Sequence, residues 1–472
     1  MRPDPIDSFR YADGRRHLLR CGAGLAVAGT SLSPWMTARL TAATRDRAAS
    51  RPAGRKAKSV VLVYLLGGPP HQDMFDLKPA AAAEVRGPFQ PTATAVPGME
   101  ICELLPQLAK GAERFSLIRS VSRRNSNHTP MIYYTLTGRE TAQPLADNDI
   151  RPPQRTDAPH LGAVLAKLMP PSQVLPHYIA IPEVAIRSSL SGEFKRARSP
   201  LRGGGAGFLG PQFEALAING VPGSSDAIPA LTLPPEVSAA RFEKRTQLLS
   251  LLDHRLTSSA AAHVSDTLKQ QAVMLTGAAH FQGQPVFSLD DEPAAVRERY
   301  GSHRFGRTML LARRLAEAEV PMIAVHFNEM TICDGWDTHS NNFEALKSEL
   351  LPMLDQGLSA LMDDLDERGL LDQTLIICLG EFGRTPKING NAGRDHWGDC
   401  SSALLAGGGV RGGIVLGESD NIAAYPVSQL VDPVDIHATM YHCLGIDPES
   451  IIHDQLQRPW PICMGRVIDE LL

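Results

Sequence analysis

The chain is expected to fold as an α/β protein with a mainly parallel central sheet flanked by helices. Short apolar runs at 60–66, 116–121, 178–182, 322–327, 374–378 and 402–406 have the composition of buried strands. They alternate with stretches of helical apolar spacing, and strands alternating with helices build a parallel sheet. A third observation marks the functional edge. Three of the runs end directly in loops dense in Asp, Glu and His. In open α/β sheets, ligands bind in loops that leave the carboxyl ends of strands.

The totals narrow the class. The 472 residues carry 47 Lys and Arg against 51 Asp and Glu, a net charge of −4. That length can bury a large core, and that balance leaves no basic footprint for nucleic acid. The 40 Gly and 36 Pro forecast long ordered loops. Seven cysteines (Cys21, Cys102, Cys333, Cys378, Cys400, Cys443 and Cys463) show no C-x-x-C spacing, which argues against a zinc knuckle. Cys378 lies within an apolar run and reads as a small buried hydrophobe.

Taken in order, residues 1–49 form an export signal and linker. Arg15-Arg16-His17-Leu18-Leu19-Arg20 has the form of a twin-arginine signal, and the apolar stretch 21–32 follows it. That stretch is shorter than the roughly 20 apolar residues a bilayer span takes, so it reads as the h-region of the signal rather than an anchor. Export by the twin-arginine translocation machinery to the periplasm or cell surface is the expectation, with no transmembrane span beyond the signal. Residues 57–472 read as one domain with a loop-rich and helical insertion at 183–290. The first strand at 60–66 precedes a surface excursion at 79–97. A helix at 104–115 leads into the strand at 116–121, and an apolar helix runs to Leu136. Another helix covers 160–168 before the strand at 178–182. Gly203-Gly204-Gly205 lack the following Lys-Ser/Thr of a phosphate loop. Helices are expected within 234–280, at 294–320 and at 343–368. The carboxylates Asp363, Asp364, Asp366 and Glu367 read as a solvated face of the last. Asp432-Pro433 starts a helix to 444 as N-cap and first helical residue. His437 and His442 on it read as ordinary helix residues.

The strand-end loops supply the candidate site. The first is Gly67-Gly68-Pro69-Pro70-His71-Gln72-Asp73, with Asp76 close behind. The second carries Asp334, Asp337 and His339, with Trp336 as a shield; its rival reading is a turn built on Asp334-Gly335. The third carries Glu381, Arg384, Arg394, Asp395 and His396. Hard divalent ions take carboxylate oxygen and zinc also takes imidazole, so these residue types suit a metal. Asp395 suits the orientation of an imidazole from behind. Glu381 leaves a buried strand and must find a partner. Arg384 and Arg394 suit bidentate binding of an anion, or equally a salt bridge to Glu381 or Asp395. Asn127-His128-Thr129 opens a helix after a strand, where free N–H groups favour anions. There His128 or Thr129 would meet a substrate; the rival reading makes Asn127 a simple N-cap.

These motifs occur in a characteristic order: twin-arginine signal, G-G-P-x-H-x-D-x-F-D, C-E-L-L-P-x-L-A, L-T-G, G-W-D-x-H, G-E-F-G-R-T-P and G-R-D-H-W. The chain, from about residue 12 to its end, resembles the exported bacterial family catalogued as domain of unknown function 1501. That family is grouped with the alkaline-phosphatase and sulfatase superfamily. The resemblance implies an alkaline-phosphatase/sulfatase-like fold and a metal-dependent hydrolase of phosphate or sulfate esters. It implies one or two divalent ions over the strand ends, left open between zinc, calcium and manganese. The expected ligands are His71, Asp73, Asp334, Asp337, His339, Glu381, Asp395 and His396. Thr129 and His128 would be catalytic, and Asn127, Arg384 and Arg394 would bind an anionic ester or polysaccharide. Gly67-Gly68 stand where the superfamily has a metal-binding Asp, Glu381-Phe382 replaces its Asp-His, and no C-x-P-x-R or S-x-P-x-R occurs. A non-catalytic exported protein on the same scaffold, binding polysaccharide or a partner protein, is the alternative. Whether the three loops gather at one rim decides whether this chemistry has a location.

Overall fold

The computed structural model describes residues 57–141, 153–170, 175–181, 202–218, 222–223, 284–329 and 332–472, with isolated positions between 237 and 281. The twin-arginine segment and most of the expected insertion lie outside the described residues. Eight strands form the central sheet: β1 (Ser59–Leu65), β2 (Phe115–Val121), β3 (Tyr178–Ile181), β4 (Leu216–Ala217), β5 (Met322–Phe327), β6 (Thr374–Leu379), β7 (Ser401–Ala406) and β8 (Val415–Leu416). Their spatial order is β8-β2-β7-β6-β1-β5-β3-β4. β7 alone pairs antiparallel with both neighbours, and every other pairing is parallel.

β1 sits near the middle of the sheet, and all of its residues are buried. Alternate side chains feed two cores. Val61, Val63 and Leu65 join one, and Val60, Leu62 and Tyr64 join the other. On the first face lie helices Arg304–Glu317 and Leu351–Glu367, through Met309, Leu354 and Leu358 among others. On the second lie His128–Thr137, Leu161–Leu168 and Pro433–Cys443, through Ile132, Val164 and Met440. Covering both faces is what lets apolar strands run without polar alternation. No described helix is long and apolar enough to cross a membrane.

Several elements differ from their sequence reading for local reasons. The helix expected at 294–320 is two, Ala294–Tyr300 and Arg304–Glu317. Gly301 adopts φ +89° and stops the first, and the His303 ring caps the second by accepting the Gly306 N–H at 3.0 Å. The helix expected at 343–368 begins with Asn342–Ala345 and widens into a π turn at Leu346–Leu350. Pro352 lacks the N–H that would bond to Ser348 O, which favours the wider turn. The helix expected at 104–115 is only Pro106–Lys110, followed by a 3-10 turn at Ala112–Arg114. Asp364 is not part of a solvated face. It is buried and accepts hydrogen bonds from Tyr300 Oη at 3.0 Å and Arg368 Nε at 2.6 Å. β4 and β8 escape the sequence reading because two residues carry no period. The six described cysteines are free thiols, and Cys378 is buried as expected.

Asp432 opens the last helix in a capping box, accepting the Val434 N–H at 3.2 Å while Asp435 accepts the Asp432 N–H at 3.0 Å. Within that helix His437 is buried and donates from Nε2 to Thr135 O at 2.9 Å. Burial pushes its pKa down from 6.5 to about 4. The folded value lies below the unfolded one, so this contribution is complete above pH 6.5 and is lost as pH falls towards 4. The loss amounts to about 3 kcal/mol at about 1.4 kcal/mol per pH unit. Urea unfolding of wild type and His437→Gln between pH 7 and pH 4 should show a stability difference that shrinks towards acid by this amount. A constant difference across that window would refute it.

Candidate metal centre

The loops leaving β1, β5 and β6 meet at one rim of the sheet, joined by the start of the helix that follows β2. Two glycines permit the meeting. Gly67 and Gly68 adopt φ of +117° and +80°. A Cβ on Gly67 would lie 2.3 Å from Asp337 N, and one on Gly68 2.6 Å from the Phe382 ring. So these positions, where the resemblance expects a ligand, instead let the β5 and β6 loops lie directly on the end of β1. Arg384 then locks the arrangement. It is fully buried and donates from Nε to Gly68 O at 2.7 Å, from Nη1 to Arg394 O at 3.0 Å, and from Nη2 to Trp336 O at 3.1 Å. Nη2 also reaches Gly67 O and Asp337 Oδ1, the latter at 2.6 Å.

Asp337, held this way, is the hub of three imidazoles. His128 Nε2 lies 3.3 Å from Asp337 Oδ2, and His396 Nε2 and His339 Nε2 each lie 3.2 Å from Oδ1. Behind His128, Nδ1 meets Glu381 Oε1 at 2.6 Å, and that oxygen also accepts the Gly67 N–H at 2.9 Å. Behind His339, Nδ1 meets Asp395 Oδ1 at 2.8 Å, and Asn389 Nδ2 donates to the same oxygen at 3.1 Å. The Phe382 ring packs 4.8 Å from both His128 and His396. Burial grades outward: His128 and Glu381 are 2% exposed, while the His339 side chain is 40% exposed. A small cavity beside His128 is lined by Gly67, Asn328, Asp334, Asp337 and Glu381 as well.

The electrostatics follow from this packing. Burial alone would raise the Asp337 pKa, but hydrogen bonds from the three histidines and the Arg384 charge hold it far below the carboxylate range. Burial pulls His128 down, and its bonds to Asp337 and Glu381 outweigh that and raise it. His339 is raised mainly by its bond to Asp337. His396 is lowered by burial, with the His128 and Arg384 charges adding to the effect.

The donor set fits a divalent cation. A neutral imidazole has one N–H. His128 uses it towards Glu381 and His339 uses it towards Asp395, since a carboxylate can only accept. Their Nε2 lone pairs then face the Asp337 carboxylate, and His339 Nε2 also stands 2.8 Å from His396 Nε2. The Nε2–H tautomer of His396, protons on His128 and His339, or a cation at the centre relieves that crowding of electron pairs. Imidazole nitrogen with carboxylate oxygen is the ligand set of borderline divalent ions such as zinc. Among the described residues, the ligand atoms of His128, Asp337 and His396 all lie within 4.8 Å of one another.

Other expected site residues lie elsewhere. His71 points away, with Nε2 2.8 Å from Ala423 O. Asp73 accepts a bidentate pair from Arg394, Nε to Oδ2 at 2.7 Å and Nη2 to Oδ1 at 2.8 Å, plus Asn342 Nδ2 at 2.9 Å. Neither His71 nor Asp73 joins the cluster, because both are bound on the far side of the loop. Arg384 and Arg394 are 0% exposed with their donors committed to backbone and carboxylate, so neither faces the cavity to receive an anion. Trp336 is core, edge-on to Phe327 at 5.4 Å, and does not shield the centre. Asp395 orients His339 rather than its neighbour His396. Asp334 lines the cavity, and Thr129 is buried next to His128. Asn127 is exposed at the N-cap without a side-chain cap bond. Asn389 and the Gly67 N–H carry no site signal in the sequence; Asn389-Gly390-Asn391 has the composition of a turn.

Removing Arg384 should leave Asp337 buried without its counter-charge. Arg384→Met is expected to lower unfolding free energy by about 3–5 kcal/mol. Arg384→Lys should rescue little, because one ammonium cannot serve carbonyls from three loops. Denaturant midpoints test this, and wild-type stability in the Lys variant would show that the multi-loop anchoring is not needed.

The chain is similar to several solved structures. One is a protein in the alkaline phosphatase superfamily from Vibrio parahaemolyticus, with 11% identity and TM-score 0.39 over 89% of this chain and 72% of that one. Another is the PsFucS1 sulfatase from Pseudoalteromonas sp., with 13% identity and TM-score 0.34 over 88% and 72%. A third is the lipoteichoic acid synthase LtaP from Listeria monocytogenes, with 10% identity and TM-score 0.34 over 87% and 76%. No curated protein matches the chain. The family described as "Protein of unknown function (DUF1501)" matches residues 57–472, and the chain belongs to that family.

Proposed function

We propose that the protein is an exported, metal-dependent hydrolase of phosphate or sulfate esters. The observation that carries this reading is the convergence of His128, His339 and His396 on the buried Asp337 at the carboxyl rim of the sheet. Asp337 and the three histidines would hold a divalent ion. Such an ion supplies Lewis acidity towards an ester oxygen and lowers the pKa of a coordinated water.

The chain's own groups prepare that centre. Glu381 fixes the ring and tautomer of His128, and Asp395 does the same for His339. Arg384 pins Asp337 between the β5 and β6 loops. Asp334, Asp337 and Glu381 make the cavity acidic. An anionic ester approaches such a group of carboxylates only when positive charge offsets them, which agrees with a metal requirement. The attacking group is Thr129 or a water. The twin-arginine segment supports export of the chain after folding, with its cofactor in place.

One observation favours the non-catalytic alternative: neither Arg384 nor Arg394 presents a guanidinium to the cavity. The same experiments separate the two readings. Protein recovered from the periplasm should contain a divalent ion by elemental analysis and should hydrolyse members of a panel of phosphate and sulfate esters. Metal-free protein after purification from its own compartment, together with no turnover after reloading, would sink the hydrolase. Glu381→Gln should weaken metal binding by roughly 10–100-fold in competition with a chromogenic chelator. Replacing Arg15-Arg16 by Lys-Lys should leave the precursor in the cytoplasm; undiminished export of that variant would refute the signal.

A further inference from the structure

One oxygen beside the centre is left unpaired. Glu381 Oε1 serves His128 Nδ1 and the Gly67 N–H, but Oε2 has no hydrogen-bond partner. The Glu381 side chain is 0% exposed, so bulk water does not serve that oxygen. An unpaired buried carboxylate oxygen is costly, and a neighbouring donor is the usual remedy. The neighbour is the phenol of Tyr64. Tyr64 lies on β1 opposite Leu379 of β6, two positions before Glu381. It is buried, and its ring meets His326 edge-on with centroids 6.2 Å apart. Burial drives the Tyr64 pKa well above 10; the charge and hydrogen bonding of Glu381 raise it further, while the bond to Thr135 lowers it.

Two hydroxyl protons decide how the gap closes. Tyr64 Oη stands 2.7 Å from Thr135 Oγ1, and either atom can be the donor. Thr135 Oγ1 also stands 2.8 Å from Met131 O and 3.2 Å from Ile132 O. Each hydroxyl has one proton to give. When Thr135 donates to Met131 O, Tyr64 donates to Thr135 and Glu381 Oε2 stays unpaired. When Thr135 donates to Tyr64, the phenol proton turns to Glu381. The second order leaves every oxygen of the chain paired, because Met131 O keeps the backbone bond of its own helix.

We infer that Tyr64 is a positioning residue of the metal centre: its hydroxyl donates to Glu381 Oε2, and Glu381 in turn holds the N–H of His128 Nδ1. This assignment rests on the reading of the cluster of His128, Asp337 and His396 as a metal site. A carboxylate held at both oxygens keeps one orientation. The His128 ring then keeps its tautomer, and its Nε2 stays aimed at the centre. Thr135 completes the line from the same helix that begins with His128. That helix, β1 and the loop after β6 are thereby tied together around one imidazole.

Tyr64→Phe and Thr135→Val separate this role from a bond that merely packs the core. In competition with a chromogenic chelator for zinc, Tyr64→Phe should bind about three- to tenfold more weakly than wild type, and Thr135→Val within about twofold of it. The visible band of the cobalt-loaded protein should shift in Tyr64→Phe and stay in place in Thr135→Val. Equal losses in the two variants, wild-type affinity in Tyr64→Phe, or an unshifted cobalt band in that variant overturns the assignment. A second measurement needs no ion. In metal-free protein, Tyr64→Phe should raise the urea unfolding constant about tenfold, and about threefold or less in the Glu381→Ala background. Additive effects in that cycle overturn the assignment. If wild type binds neither zinc nor cobalt, the metal reading fails and the cycle alone decides the role of Tyr64. If Glu381→Ala does not fold, the chelator comparison decides it.

Discussion

The centre depends on one buried cation. Arg384 sits at zero exposure where the loops from β1, β5 and β6 meet, and its guanidinium is answered by carbonyls of Gly67, Gly68, Trp336 and Arg394 and by the Asp337 carboxylate. A buried charge is tolerated only when such partners replace its hydration. Because those partners belong to separate loops, satisfying the guanidinium also fixes the loops relative to one another. The place of Asp337, and with it the point where the three imidazoles meet, follows from that requirement.

The same chain buries arginine elsewhere without building a centre. Arg394 is closed off by Asp73 and by Thr385, Pro386 and Val85 carbonyls. Arg313, on the helix Arg304–Glu317, lies between Glu292, Glu317 and Asp364. What distinguishes the Arg384 site is the mismatch it leaves. One carboxylate, already paired with a guanidinium, is also faced by three imidazole nitrogens. Structural ion pairs balance donors against acceptors; with its imidazoles neutral this group has acceptors left over, which suits a cation.

Outward from that group, burial falls off to solvent in steps. His128 is locked by Glu381 and Phe382 in the interior, His396 packs between them and the surface, and His339 is steadied at the edge by Asp395 and Asn389. Sites borne on strand ends and backed by further hydrogen bonds keep their geometry better than sites on free loops. His71, Asp76 and Trp397 serve the hairpin Glu418–Ser428 instead.

The sequence determined the long strands of the sheet. β1, β5 and β6 are legible because a strand covered on both faces must be apolar throughout, and that composition survives in one dimension. It also placed Asp, Glu and His after those strands, where an α/β sheet opens. It did not decide which of them face inward. His71 and His128 both open helical turns shortly after a strand, yet one binds a hairpin carbonyl and the other joins the cluster. Arg384 and Arg394 read equally as anion binders or as salt-bridge partners of Glu381 or Asp395, and they are anchors paired with Asp337 and Asp73. The reason is distance along the chain: His128 and Glu381 are 253 positions apart, and Asp73 and Arg394 are 321 apart. Partners so remote are chosen by how the loops pack around Gly67 and Gly68, and only the tertiary structure contains that information.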